Sequence, residues 1–326
     1  MPADHLTTTR PPTAPSELAV GVLAVLAGAD PGTVSVNHAL DPADLDDAVQ
    51  TYQAAGLAAL ELRAERTWYQ VRVRFPDWSA AEAVGATMLG PSLDRLRADG
   101  AVAGWWFLRK HPCWRLRLLG ADTEAVSRVL DELSDTGVIE RWWPTVYEPE
   151  TAAFGGLTGM DTVHDLFCAD SAGVLDYLCQ EAPGLGRREL SILLLSGLMR
   201  AAGLDTFECG DVFDRVGRLR PAPTDADTAR ISKLADNVRV LLSIPDLADS
   251  ELFTSGGPVA HAAPWLAALR ASGERLGHDA ADGHLDRGLR AILTHVVIFH
   301  WNRFGLAATS QGILVRAATA ALLPRS

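Results

Sequence analysis

The stretch Trp68-Tyr69-Gln70-Val71-Arg72-Val73-Arg74-Phe75 decides how the rest of the chain is read. Tyr69, Val71, Val73 and Phe75 alternate with Gln70, Arg72 and Arg74, the period-two pattern of a strand with one buried face. Downstream, residues 80–98 have helical spacing and residues 102–110 read as a second strand. His111-Pro112 breaks that strand, and residues 113–119 form a third. A helix over 123–133 and a strand over 139–147 complete the order β-α-β-β-α-β, which is the ferredoxin-like pattern. In that topology the first and third strands are central neighbours, and both helices cover one face. The apolar residues then point toward the helices. Arg72 and Arg74 lie beside Arg115 and Arg117 on the opposite face, away from helices. Alternation also predicts that Trp105-Trp106 and Trp142-Trp143 each split between core and rim.

Two adjacent Arg-x-Arg strands stand out in a chain whose net charge is −12. One reading is a solvated outer face whose arginines pair with nearby carboxylates. The other is an anion site: guanidinium forks grip carboxylates through two parallel hydrogen bonds, which fits a carboxylate-bearing substrate.

Working outward toward the N-terminus, residues 1–15 are rich in Pro and Thr and are expected to be a disordered tail. Residues 16–66 give a small helical module, with helices expected at 17–27, 34–38 and from Asp41-Pro42 to about 65. The layout is that of a helix-turn-helix, but Asp41, Asp44, Asp46 and Asp47 open the third helix and no base follows until Arg63. A phosphate backbone would be repelled, so no nucleic-acid partner is expected. The apolar run 18–29 imitates a signal peptide. However, Glu17 precedes it, Ser16 is a good N-cap, and the run is too short to span a bilayer. A cytoplasmic protein without a membrane partner is the expectation. Cys113, Cys168, Cys179 and Cys209 are too scattered for a disulfide framework and read as free thiols.

From about residue 159 the chain turns helical, with helices expected at 160–167, 171–179, 187–202, 226–242, 264–276, 285–301 and 310–323. The whole reads as an α+β protein: a sheet domain over 67–158 packed against a helical bundle over 159–326. Phosphate-loop, His-Glu-x-x-His, Cys-x-x-Cys and Gly-x-Ser-x-Gly motifs are absent. His295 and His300, five residues apart, do not share a helix face. No metal or cofactor is expected.

Trp68-Tyr69, Trp105-Trp106-Phe107-Leu108-Arg109-Lys110 and Trp114-Arg115-Leu116-Arg117 together resemble the opening of the lantibiotic dehydratase C-terminal domain, also called the thiopeptide-type bacteriocin biosynthesis domain. Tyr147-Glu148-Pro149-Glu150-Thr151-Ala152-Ala153-Phe154-Gly155-Gly156 resembles that family's Tyr-Glu-x-Glu…Gly-Gly block. It is followed by Met160, by Phe167-x-x-Asp170-Ser171, and late in the chain by His300-Trp301-Asn302-Arg303. The resemblance spans about residues 67–323.

It implies maturation of a ribosomally made precursor peptide. A separate domain of the full-length enzymes glutamylates Ser or Thr, and this domain eliminates glutamate to leave dehydroalanine or dehydrobutyrine. By resemblance Arg115, Arg117 and Glu150 are the elimination residues. The arginines bind carboxylate and stabilise the enolate, while Glu150 orients or transfers a proton. Arg72, Arg74, Arg109, Asn302 and Arg303 are candidate substrate-binding residues. Two departures stand out: Ala153 replaces the family's arginine, and Ile298 replaces its histidine, for which His300 is the candidate substitute. The implied partners are a leader-bearing precursor peptide and a separate glutamylating dehydratase subunit. The leader is expected to add to an exposed sheet edge, with the acidic 16–66 module as the alternative dock. The same scaffold also serves pyridine synthases, which join two dehydroalanines in a formal [4+2] cyclisation. A non-catalytic leader-binding subunit is a third reading.

Overall fold

The structure is a computed structural model that describes residues 16–65, 67–224 and 227–323. The tail expected at 1–15 and the expected helix start at 226 lie outside the described residues. The chain divides into two units at residues 66/67, and the sheet and the C-terminal helices belong to the same unit.

The first unit holds α1 (Glu17–Leu26), α2 (Pro31–Asn37) and α3 (Pro42–Glu65). Ser16 caps α1 by accepting from the Ala19 N–H, Asp30 caps α2 and Asp41 caps α3, each satisfying amides that the first turn leaves open. Val22, Val34 and Leu45 form its small core.

The second unit begins with β1 (Trp68–Arg74). There follow α4 (Ala81–Val84), a π turn at Gly85–Leu89 and α5 (Gly90–Ala98), then β2 (Gly104–Lys110), β3 (Cys113–Leu119), α6 (Thr123–Asp135) and β4 (Arg141–Thr145). The strands form one antiparallel sheet in the order β2-β3-β1-β4, so β1 and β3 are the central neighbours. Val71 pairs with Leu116, and Val73 with Trp114. Their common face is covered by α5 and α6, where Trp105 Nε1 donates to Asp94 and Trp142 Nε1 to Asp131. The π turn presses against the same face. A Cβ at Gly85 would sit 2.3 Å from the Trp114 ring, so only glycine fits there.

The C-terminal part runs through α7 (Gly156–Leu178), α8 (Arg187–Ala201), α9 (Thr206–Leu219), α10 (Thr228–Leu242), α11 (Ala263–Ala281), α12 (Leu289–Arg303) and α13 (Ala308–Leu322). Two sequence expectations change here. The helices expected at 160–167 and 171–179 are a single α7, because Asp170 spends its carboxylate on tertiary partners and caps nothing. α9 was not expected, although Asp205 and Glu208 form a full capping box at its start.

α7 also overturns the open arginine face. It lies over one end of the face opposite α5 and α6, where Phe167 packs on Trp106 with ring centroids 4.7 Å apart and His164 packs on Trp68 at 4.5 Å. Trp105 and Trp106 therefore do not split between core and rim, since both are buried. Strands covered on both faces have no rim at that point. The Gly155-Gly156 pair that starts α7 takes φ values of 86° and 85°, and a Cβ on Gly156 would sit 2.2 Å from Asp286 Oδ2.

Candidate functional site

Registry places Arg72 opposite Arg115, and Gln70 opposite Arg117, on the face that α7 partly covers. Arg117 is at the covered end and is only 2% exposed. Its Nε donates to Gln70 Oε1 at 2.9 Å, and its guanidinium carbon lies 4.0 Å from the Trp106 ring centroid and 4.7 Å from that of Tyr147. Gln70 is itself anchored by its amide on Thr145 Oγ1 and the Val146 carbonyl. Burial pushes the Arg117 pKa down to about 10, against the opposing charges of Tyr147 and Glu150. The group stays cationic at neutral pH, yet its Nη1 is buried without a hydrogen-bond partner. The expectation that Arg117 faces away from all helices is corrected, because the roof is a helix that lies outside the β-α-β-β-α-β pattern.

Arg115 and Arg72 are half-buried toward the open end of the face. Neither makes an ion pair or hydrogen bond among the described residues, and the Arg72 Nε is buried without a partner. Arg74 fits the solvated reading instead, since its Nε meets Glu140 at 2.9 Å and both side chains are about 40% exposed. Glu150 is exposed, and its charge acts on Arg117. Arg72, Arg115, Arg117 and Glu150 are thus brought to one region.

The other candidates are not. Arg109 lies on the opposite face, bound to Glu82, which also holds Arg187. Asn302 accepts from Gln311 Nε2 at 3.0 Å, joining α12 to α13. His300 and Arg303 are 1% and 0% exposed, and both are committed to the Asp170 carboxylate. His300 Nδ1 lies 2.8 Å from Asp170 Oδ1, Trp265 Nε1 donates to the same oxygen at 3.0 Å, and Arg303 pairs with Oδ2. Burial raises the Asp170 pKa, but His300 and Arg303 outweigh it and hold the group down at about 2. Helical phase explains the correction: two residues on a helix turn His300 roughly 200° from position 298. Ile298 itself is buried as an ordinary apolar side chain.

Sequence reasoning missed Tyr147 and His164 as site residues. The Tyr147 hydroxyl lies 2.8 Å from His164 Nε2 at the covered end of the arginine face. Burial, with Arg117 adding to it, pushes the His164 pKa down to about 4. The available signal was the i, i+3, i+4, i+7 stripe Met160, Val163, His164 and Phe167, in which histidine is the polar member.

Comparison with known proteins identifies the family. The family model described as "Lantibiotic biosynthesis dehydratase C-term" matches residues 68–322, and the chain belongs to that family. No curated protein sequence matches it. Among solved structures, the tRNA-dependent lantibiotic dehydratase MibB from Microbispora sp. 107891 superposes with a TM-score of 0.60 at 19% identity, covering 78% of this chain and 28% of that one. TsrL superposes at 0.54 and 16% identity, covering 79% of this chain and 99% of its own. The pyridine synthase TbtD from thiomuracin biosynthesis superposes at 0.54 and 14%, covering 78% and 97%. At such identities the likeness establishes the fold. The chain spans little more than a quarter of the dehydratase's length.

Proposed function

We propose that the protein matures a ribosomally made precursor peptide by eliminating glutamate from glutamylated Ser or Thr, giving dehydroalanine or dehydrobutyrine. The observation that carries this reading is the incompletely paired guanidinium set. A buried cation without a carboxylate partner is costly, and a departing glutamate supplies the missing carboxylate. Arg117 and Arg115 grip that carboxylate and the developing enolate oxygen, Arg72 flanks them, and Glu150 stands at the rim. Family membership supports a lyase acting on peptide, and the β-α-β-β-α-β order with central β1 and β3 supports a ferredoxin-like sheet unit packed on a helical bundle. The glutamyl group is installed by another domain or protein. The reaction needs no metal or cofactor, and the leader-bearing peptide is the principal partner. A cytoplasmic setting fits, and among the described residues no helix is long and apolar enough to cross a membrane.

Leader docking by strand addition is less favoured than sequence reasoning made it. Along the outer edge of β2, the Phe107 amide donates to Ser171 and its carbonyl accepts from Arg303. β4 carries Pro144, which has no amide to donate.

A second reading, formal [4+2] pyridine formation, is favoured by two observations. The match covers 97% of the pyridine synthase TbtD, and Ala153 and Ile298 stand where eliminases carry arginine and histidine. Incubation with a glutamylated precursor decides between them. Release of free glutamate, with the matching mass loss from the peptide, is expected. Persistence of the glutamyl group, together with leader loss from a bis-dehydroalanine peptide, makes the protein a cyclase. Tight binding without either reaction makes it a leader-holding subunit.

A further inference from the structure

Elimination needs a group that takes the Cα proton, and the histidine position of the family offers none here, because Ile298 is apolar and His300 is sealed against Asp170. The arginine face has another pair in place. Tyr147 and His164 share a 2.8 Å contact between the phenolic oxygen and Nε2. The imidazole is seated between Trp68 and Trp106, at centroid distances of 4.5 and 6.3 Å, and the Arg117 guanidinium lies over the phenol ring. Tyr147 is 3% exposed and the chain returns to the surface at Glu150 three residues later, so the pair stands at the covered end of the face, directly beside Arg117.

We propose that Tyr147 and His164 form the proton-transfer pair of this site, with Tyr147 as the catalytic residue and His164 as the positioning residue that receives its proton. The inference rests on the elimination reading. In the step, the Tyr147 oxygen takes the Cα proton while its own proton passes to His164 Nε2. The Cα–H electron pair becomes the Cα=Cβ bond, the Cβ–O bond breaks, and its electrons leave with glutamate as a carboxylate held by Arg117 and Arg115. His164 ends protonated and returns the proton to water as glutamate departs.

The electrostatics support this order of events. The charged or titratable groups facing His164 are Arg117 from β3, Tyr147 beyond β4 and Asp165 beside it on α7. Burial, with Arg117 adding to it, disfavours an imidazolium, so the imidazole is neutral and ready to accept before substrate arrives. A substrate carboxylate on Arg117 offsets that charge, and His164 becomes more basic only once the substrate is seated.

Tyr147→Phe removes one oxygen and keeps the ring over which Arg117 lies. With a glutamylated precursor, kcat for glutamate release should fall about 100- to 10,000-fold, while KM changes by less than about threefold. His164→Gln should cause a similar loss, and the pH dependence of kcat on its acid side should disappear in both variants. A purely structural role would instead lower the amount of active protein and leave the pH profile of the remainder unchanged. If Tyr147→Phe retains kcat within about fivefold of wild type, the pair is not the proton-transfer device, whatever His164→Gln does. A wild-type protein that releases no glutamate overturns the elimination reading and the pair together.

Discussion

Arg303 and Arg117 both lie against Trp106, with guanidinium carbons 5.6 and 4.0 Å from its ring centroid, and both are sealed, at 0% and 2% exposure. Their partners differ. Arg303 pairs with the Asp170 carboxylate, shared with His300 and Trp265, and donates to the Phe107 carbonyl, although its Nη2, like Arg117 Nη1, is buried without a hydrogen-bond partner. Arg117 has the neutral amide of Gln70 and two aromatic rings, with no carboxylate hydrogen-bonded to it among the described residues. A buried guanidinium is tolerated when a carboxylate matches its charge, or when that carboxylate arrives from outside. One cation serves the fold, and the other waits for a ligand.

The largest expected effect breaks the fold side of this comparison. Asp170→Ala should cost about 3–5 kcal/mol of stability in urea denaturation, because it strands Arg303 and His300 in the interior. Arg117→Met should cost less than about 2 kcal/mol, the scale of a cation–π contact and one side-chain hydrogen bond, while abolishing turnover. Equal stability losses for the two variants would erase the distinction. At the open end, Arg115→Ala should shift stability by no more than about 0.5 kcal/mol. It should also weaken binding of a glutamylated peptide roughly tenfold, a loss of about 1.4 kcal/mol. Titration at rising ionic strength should shrink that difference, since a half-buried charge is screened more than Arg117.

The remaining effect concerns pH. The Asp170 pKa is held at about 2, below its ordinary 3.8, so its share of stability is present above about pH 4 and is lost as pH falls toward 2. His164 titrates at about 4 in the folded protein against an ordinary 6.5. Its share is complete above about pH 6.5 and is lost as pH falls through 4, since the unfolded chain takes up the proton first. Unfolding free energy followed between pH 7 and 4 should therefore slope upward with pH in the wild type. His164→Gln should flatten that slope and leave the Asp170 limb below pH 4 unchanged.

The sheet was legible because its alternation is local. Strand positions follow from period-two spacing, and the pairing of β1 with β3, which sets Arg72 beside Arg115, from the β-α-β-β-α-β order. What covers the sheet was not legible, because the roof comes from α7, whose contact with Trp68 and Trp106 has no sequence-local signature. For the same reason Arg117 reads as an outward residue in sequence and is a buried one in space. The late His300-Trp301-Asn302-Arg303 element was found as a motif, but its purpose was hidden. His300 and Arg303 serve Asp170, roughly 130 residues upstream, and a helical wheel cannot show a partner on another helix. α9 was different: its Asp205…Glu208 box was local and readable.

The fastening of β2 has a consequence for how the protein is made. The Phe107 carbonyl on that edge is closed by Arg303, which is synthesised 196 residues later. At translation rates of about 5–20 residues per second, the edge stays open on the ribosome for on the order of ten seconds or more. During that interval the Phe107 carbonyl is an unpaired acceptor on an edge strand. Arg303 thus closes the last acceptor on that edge, and a chain ending between α7 and residue 303 leaves the Phe107 carbonyl open although Ser171 already holds its amide.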